Sequence, residues 1–205
     1  MSDYSYSILE NRGILLVSGA DKREFLQGLI SNNMSLVKKN KAIYAALLTP
    51  QGKYLFDFFI AEHDEMLLLE TERHRINDLI KRLSIYKLRA KVDLQDISQK
   101  WYVVAVWGNS TFNAFSLPSS EGAAMPYHNG ICFVDPRLAM AGARILIPKD
   151  DPPPPKGRLP YEFYDVHRLN LGLPEGSRDL MLEKAILLEN GFDELHGIDW
   201  DKGCF

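Results

Sequence analysis

Ile43-Tyr44-Ala45-Ala46-Leu47-Leu48, then Thr49-Pro50-Gln51-Gly52-Lys53, then Tyr54-Leu55-Phe56-Asp57-Phe58-Phe59-Ile60, is the stretch whose reading decides the fold. Both flanks are rich in aromatic and aliphatic residues. Between them, Pro50 and Gly52 supply a fixed φ and a permissive one, as a reversing chain needs. The pattern predicts a β-hairpin and therefore an antiparallel sheet. One carboxylate, Asp57, stands inside the second apolar run.

Outward from the hairpin, strands and helices alternate without a strict βαβ rhythm. Gly13 to Val17, Met66 to Leu69, Lys91 to Ile97, Trp101 to Val106, Ile131 to Val134 and Ala143 to Ile147 read as strands. Asp21 followed by Glu24 has the spacing of a capping box ahead of a stripe of Phe25, Leu26, Leu29 and Ile30. Thr71 is placed to cap a second helix, on which Ile76, Leu79, Ile80 and Leu83 recur at helical spacing. Asn109 to Phe115 reads as a short helix, and Tyr161, Phe163, Tyr164 and Arg168 share another. Asp150 to Gly157 carries four prolines, which remove four backbone donors, so it is expected to be an exposed polyproline loop between lobes. This mixture is α+β with antiparallel sheets.

The 205 residues, 46% of them hydrophobic, allow one domain or two small ones. A net charge of −3 argues against a broad nucleic-acid surface, because phosphate binding needs clustered cations. No apolar run approaches the roughly 20 residues of a membrane span. The expected partners are thus small molecules or proteins, with no direct nucleic acid and no membrane. Cys132 and Cys204 form no Cys-x-x-Cys pair, and the five histidines show no paired ligand spacing, so neither a disulfide framework nor a metal site is expected. Met1-Ser2-Asp3-Tyr4 has neither signal-peptide nor transit-peptide character, which makes the cytoplasm the expected location.

Seven segments fall in a recognisable order. They are Ser18-Gly19-Ala20-Asp21 with Phe25-Leu26-Gln27-Gly28, Leu47 to Lys53 with Phe56-Asp57, Tyr86-Lys87-Leu88-Arg89-Ala90-Lys91-Val92, Trp101 to Gly108, Arg168, Leu171-Gly172-Leu173-Pro174, and Lys202-Gly203-Cys204-Phe205. From about Gly13 to Phe205 the chain resembles the YgfZ-type folate-binding proteins, relatives of the glycine cleavage T-protein, an aminomethyltransferase. The resemblance implies two interleaved α+β lobes, one of them ferredoxin-like. Residues 1–205 would be a folate-binding module, with approximate sub-lobes 1–100 plus 160–205, and 101–150, joined through the Pro-rich loop 150–157. The family's C-terminal barrel has no counterpart, and its signature continues into Gly-Gln-Glu, so the resemblance implies a chain that stops within its own motif.

The resemblance also implies a tetrahydrofolate-binding accessory protein, taking the cofactor itself or a one-carbon derivative. Its role would be iron–sulfur cluster assembly or repair in client enzymes, including tRNA-modifying ones, with those clients or assembly proteins as partners. Cys204 would supply a thiol, and Lys202 would favour its thiolate. Cys132, in an apolar strand, reads as core. Tyr164 aligns with a folate-stacking tryptophan; Arg12 stands at its partner's position and offers a planar guanidinium instead. Arg168 adds a cation to the helix of Tyr164. Asp57 is the second member of an acidic pair found in the aminomethyltransferases, the first being Phe56 here. The basic residues Lys81, Arg82, Lys87, Arg89 and Lys91 could meet an anion such as a folate glutamate tail, or form a solvated face. Rival readings are a folate-dependent aminomethyl or methyl transferase of the T-protein type and an inactive truncated module.

Overall fold

The computed structural model describes residues 3–203. Among them, ten strands form two five-stranded antiparallel sheets. In chain order the elements are β1 (Ser5–Ile8), β2 (Arg12–Ser18), α1 (Lys22–Gln27), β3 (Ile43–Leu48), β4 (Tyr54–His63), β5 (Met66–Glu72), α2 (Ile76–Lys87), β6 (Asp93–Asp96), β7 (Trp101–Trp107), α3 (Thr111–Ala114), β8 (Ala124–Tyr127), β9 (Gly130–Val134), β10 (Ala143–Pro148), α4 (Tyr161–Asn170) and α5 (Gly176–Asp179). One sheet runs β3-β4-β5-β2-β6, the other β1-β7-β10-β9-β8. The first strand of the chain thus joins the second sheet, pairing Ser5 with Trp107 and Ile8 with Val104.

Three apolar layers hold these sheets. Leu15, Leu26, Phe58, Leu69, Leu79 and Leu83 lie between the first sheet and α1 and α2. Ile14, Tyr44, Phe59 and Leu68 of the first sheet meet Val103, Phe133 and Leu146 of the second in the central layer. Val104, Val106, Val134 and Ile145 back the outer face of the second sheet. Alternation along each strand explains why neighbours such as Phe58 and Phe59 enter different layers.

The expected hairpin forms, with one irregularity that matters for the site. Leu47 pairs with Phe56 but Leu48 pairs with Tyr54, leaving Leu55 as the extra residue of a β-bulge. Leu55 and Phe56 therefore both face α2, whereas Tyr54 and Asp57 both face the other sheet.

Two capping expectations fail. Asp21 begins α1, but its side chain makes no capping bond and instead accepts the backbone N–H of Lys91 at 2.7 Å. Thr71 lies within β5 and donates its hydroxyl to the Asp57 carbonyl at 2.8 Å, and α2 starts only at Ile76. In both cases a long-range partner takes the side chain that local spacing assigned to a helix end. Strands β1 and β8, four residues each, lie outside the sequence reading. No helix among the described residues is long and apolar enough to cross a membrane.

Candidate functional site

A network of ionised and phenolic side chains crosses the interface of the two sheets, where apolar packing alone would be expected. It starts at Asp57, which the bulge in β4 turns inward. Its Oδ1 accepts the Tyr54 hydroxyl at 2.6 Å, and its Oδ2 accepts the Tyr44 hydroxyl at 2.8 Å. Burial, then the adjacent Asp57 carboxylate, raises the pKa of both tyrosines, so they remain hydrogen-bond donors.

On β5, Glu70 joins the two sheets. Its carboxylate accepts the Nε–H of Arg12 from β2, and its other oxygen lies 3.4 Å from Nη1 of Arg144 on β10. Arg144 in turn donates to the Tyr164 hydroxyl from α4 at 2.5 Å. Asp135 holds Arg137 by two bonds of 2.8 and 3.0 Å and lies 3.8 Å from Arg144. Burial pushes the Asp135 carboxyl up, but Arg137 and Arg144 outweigh it and leave it lowered. The guanidinium groups of Arg137 and Arg144 flank the Phe59 ring at 4.8 and 4.5 Å, which lets planar cations sit in an otherwise apolar layer.

A second knot lies beside it. Arg168 donates to Asp179 at 2.6 Å and to Asp165 at 2.7 Å, and its Nε lies 3.2 Å from Glu175. Glu175 also accepts the Asn11 amide at 2.8 Å and the Tyr161 hydroxyl at 2.5 Å. Burial pushes Glu175 up, yet Arg12, Tyr161 and Arg168 more than offset this and its pKa is lowered. Burial likewise disfavours the charge on Arg12, but Glu70, Asp57 and Glu175 reverse the direction and raise it.

Four sequence-selected residues, Arg12, Asp57, Tyr164 and Arg168, thus occur in these two adjoining networks, with exposures of 4%, 2%, 2% and 1%. Each is occupied by internal partners. Tyr164 packs between Trp107 and Tyr161, at ring separations of 5.8 and 6.3 Å. Lys202 lies elsewhere: its ammonium donates to the carbonyls of Gln27 and Ile30 at 2.7 and 2.5 Å, where the end of α1 is electronegative. Burial lowers its pKa, opposed by Asp199. Cys204 falls outside the described residues. Cys132 is buried in β9, and burial pushes its thiol up. The run from Lys81 to Lys91 lies on the side of the first sheet that carries α2; Lys81 and Lys87 pair there with Asp78 and Asp93.

Glu70, Arg144, Asp135, Arg137 and Glu175 escaped the sequence reading. A signal existed: Leu69-Glu70 and Ala143-Arg144-Ile145 put a charge inside an apolar strand, which is tolerable only where a partner waits.

A cleft of about 410 Å³ opens next to this network, lined by Asn32, Lys41, Tyr44, Pro136, His196 and Asp199, among others. Its residues come from the segment before β3 and the start of that strand, the turns before β8 and after β9, and the segment around residues 196–199. Tyr44, one of its lining residues, also donates its hydroxyl to Asp57, so the cleft adjoins the buried carboxylate. Asn32 is fixed there by donating to the carbonyls of Tyr44 and His196 at 2.7 and 2.8 Å.

The sequence places this fold in a class: the chain belongs to the family described as the GCVT N-terminal domain, whose model matches residues 9–124. Solved structures share the fold. Glycine cleavage system aminomethyltransferase T from Bartonella henselae superposes with a TM-score of 0.57 at 14% identity, over 72% of this chain and 42% of that one. The heterotetrameric sarcosine oxidase of Corynebacterium gives 0.50 at 12% identity, over 82% of this chain and 83% of its own.

In sequence, the chain is 31% identical to a protein of Aspergillus clavatus named iron–sulfur cluster assembly factor IBA57 homolog, mitochondrial, over 98% of this chain and 51% of that protein. The Mycosarcoma maydis protein of the same name is 29% identical over 100% of this chain and 52% of its own. The chain spans about half the length of these curated relatives. Their mitochondrial naming overturns the cytoplasmic expectation. That expectation rested on the N-terminal residues lacking signal- or transit-peptide character, and unpaired cysteines suit any reducing compartment.

Proposed function

We propose that this chain acts in iron–sulfur cluster assembly in mitochondria, as a YgfZ-like module that binds tetrahydrofolate or a one-carbon derivative. The observation that carries the assembly role is the 31% identity, along 98% of the chain, with a protein named for it. The partners would be cluster-receiving enzymes, tRNA-modifying ones included, or other assembly proteins. The pterin would enter the cleft beside Tyr44, with Asp57 bonding that tyrosine from behind and Arg12, Tyr164 and Arg168 bracing the adjoining networks. Cys204 would be the reactive thiol.

The geometry favours binding over aminomethyl transfer. Both oxygens of Asp57 already accept phenolic hydrogens, and Phe56 points away from Asp57, toward α2, beneath the Arg75 guanidinium at 4.2 Å. A second acid at position 56 would face the wrong layer. At about 100 times its dissociation constant, a ligand adds roughly 2.7 kcal/mol to stability. For a chain of this size that raises the melting temperature by about 5–10 °C. No thermal shift with saturating tetrahydrofolate would remove folate from the proposal. For the assembly role, Cys204→Ser should fail to restore iron–sulfur enzyme activity in cells lacking the protein. Full rescue would make the thiol dispensable.

A further inference from the structure

A separate cleft of about 330 Å³, which Arg12 helps to line, is bounded by Ile8, Glu10, Arg73, Trp101, Lys149 and Arg158, among others. Its residues come from the end of β1 and the β1–β2 turn, the turn before α2, the start of β7, the end of β10 and the segment that precedes α4. Arg73, Lys149 and Arg158 have no carboxylate partner among the described residues. Arg12, Arg23, Arg75, Arg137, Arg144, Arg168 and Arg178, by contrast, all carry ion pairs. Arg73 illustrates the contrast. Its neighbours His74 and Arg75 both approach Glu72, at 3.9 and 3.2 Å, while Arg73 lines the cleft instead.

The backbone under each cation is anchored. The N–H of Arg73 donates to the Asn11 carbonyl at 2.9 Å, and that of Lys149 to the Lys100 carbonyl at 2.8 Å. Arg158 is bracketed by bonds of 2.8 Å from Tyr6 to Gly157 and from Leu159 to Tyr6. The Lys149 ammonium is steadied over the Tyr102 ring at 5.4 Å. Three cations held on fixed backbone around one concavity face a single carboxylate, Glu10, which leaves an excess of two positive charges. Arg12 adds none, since Glu70 neutralises it. Ile8, Glu10 and Arg158 also line an adjoining larger cleft of about 790 Å³, walled by Leu159, Pro160 and Tyr161.

We propose that the Arg73, Lys149 and Arg158 cleft binds the diphosphate or phosphate group of a small ligand, with the adjoining larger cleft receiving the organic part when there is one. A doubly charged tetrahedral group matches both the charge excess and the donor-rich guanidinium forks, whereas one carboxylate would leave a cation unanswered. This site is independent of the folate cleft, from whose lining residues it differs entirely.

The test is a calorimetric titration of the protein with pyrophosphate and, separately, with a nucleoside diphosphate, at low and moderate salt. Binding of either is expected, weakening as salt rises. Tighter binding of the nucleoside diphosphate would place its organic part in the larger cleft, and equal binding would identify a free-phosphate site. Arg73→Gln with Arg158→Gln should weaken binding at least tenfold, a change of about 1.4 kcal/mol. Their melting temperature should be unchanged, because no ion pair is lost. Arg82→Gln, an unpaired arginine on α2 outside the cleft, should bind as the wild type does. Absence of binding by both probes would overturn the assignment, as would binding that survives the double substitution or falls equally with Arg82→Gln.

Discussion

Glu70→Gln is the perturbation that tests the polar interior most directly. Glutamine keeps the shape of the side chain and removes one negative charge from a position that is fully buried between Arg12 and Arg144. Arg144 retains the Tyr164 hydroxyl and Asp135 at 3.8 Å, but Arg12 loses its only direct carboxylate partner among the described residues. Removing one member of a buried pair costs about 3–5 kcal/mol, mostly because the remaining charge stays desolvated. At about 2–4 °C per kcal/mol for a chain of this size, the melting temperature should fall by roughly 6–20 °C. Urea unfolding followed by circular dichroism would read this as a lower midpoint at unchanged slope. Glu62→Gln is the control. Its partner Arg23 is partly exposed, so the loss there should stay within about 1 kcal/mol. If Glu70→Gln costs no more than Glu62→Gln, the interior arginines do not depend on Glu70, and the electrostatic account of the interface is wrong.

Tyr54→Phe and Tyr44→Phe should each cost about 1–3 kcal/mol in urea unfolding, since each leaves one oxygen of buried Asp57 without its donor; a cost near zero would mean that Asp57 finds another partner. Stability should be greatest between about pH 5 and 9. Asp135 and Glu175 have lowered pKa values, so their contribution is complete above the unfolded carboxylate range and is lost as pH falls through the folded values. Tyr44 and Tyr54 have raised values, so theirs is complete below about pH 10 and lost as pH climbs above it. Urea midpoints that rise toward either extreme would contradict this. Gly142→Ala should unfold the protein at markedly lower temperature, because the glycine has φ +92° and a Cβ would lie 2.0 Å from the Val106 carbonyl oxygen; a melting temperature equal to the wild type would refute the steric reading.

The apolar framework was legible because its signals are local. The Leu47 to Ile60 hairpin carries its own turn residues, and Ile76, Leu79 and Leu83 repeat at the helical period. Where a side chain had a distant option, local spacing misled. Asp21 bonds Lys91, seventy positions away, and Thr71 bonds the neighbouring strand. The polar interior was legible only in part for the same reason. Asp57, Arg12, Tyr164 and Arg168 stood out as isolated residues, but nothing in sequence order ties Arg12 to Glu70, or Glu70 to Arg144 on the other sheet. The bulge at Leu55 was also silent, since both sides of the hairpin read as regular strands, yet it alone sets Tyr54 and Asp57 on one face.

That single extra residue has a consequence for how the site came to be polar. Without the bulge, strict alternation would place Tyr54 and Asp57, three positions apart, on opposite faces of β4. Asp57 would then either lose the Tyr54 hydroxyl or turn into the apolar layer under α2, among Leu69, Leu79 and Leu83. An unpaired carboxylate there costs several kcal/mol, more than a hairpin irregularity does. Deleting Leu55 should therefore destabilise the protein well beyond the loss of one leucine side chain. Leu55→Ala, which keeps the bulge, should cost no more than an ordinary large-to-small core change of about 2–5 kcal/mol. Unfolding free energies of the two variants decide the matter: a deletion no worse than the alanine substitution would mean that the strand can re-register around Asp57, and that the bulge is not what holds the carboxylate toward the second sheet.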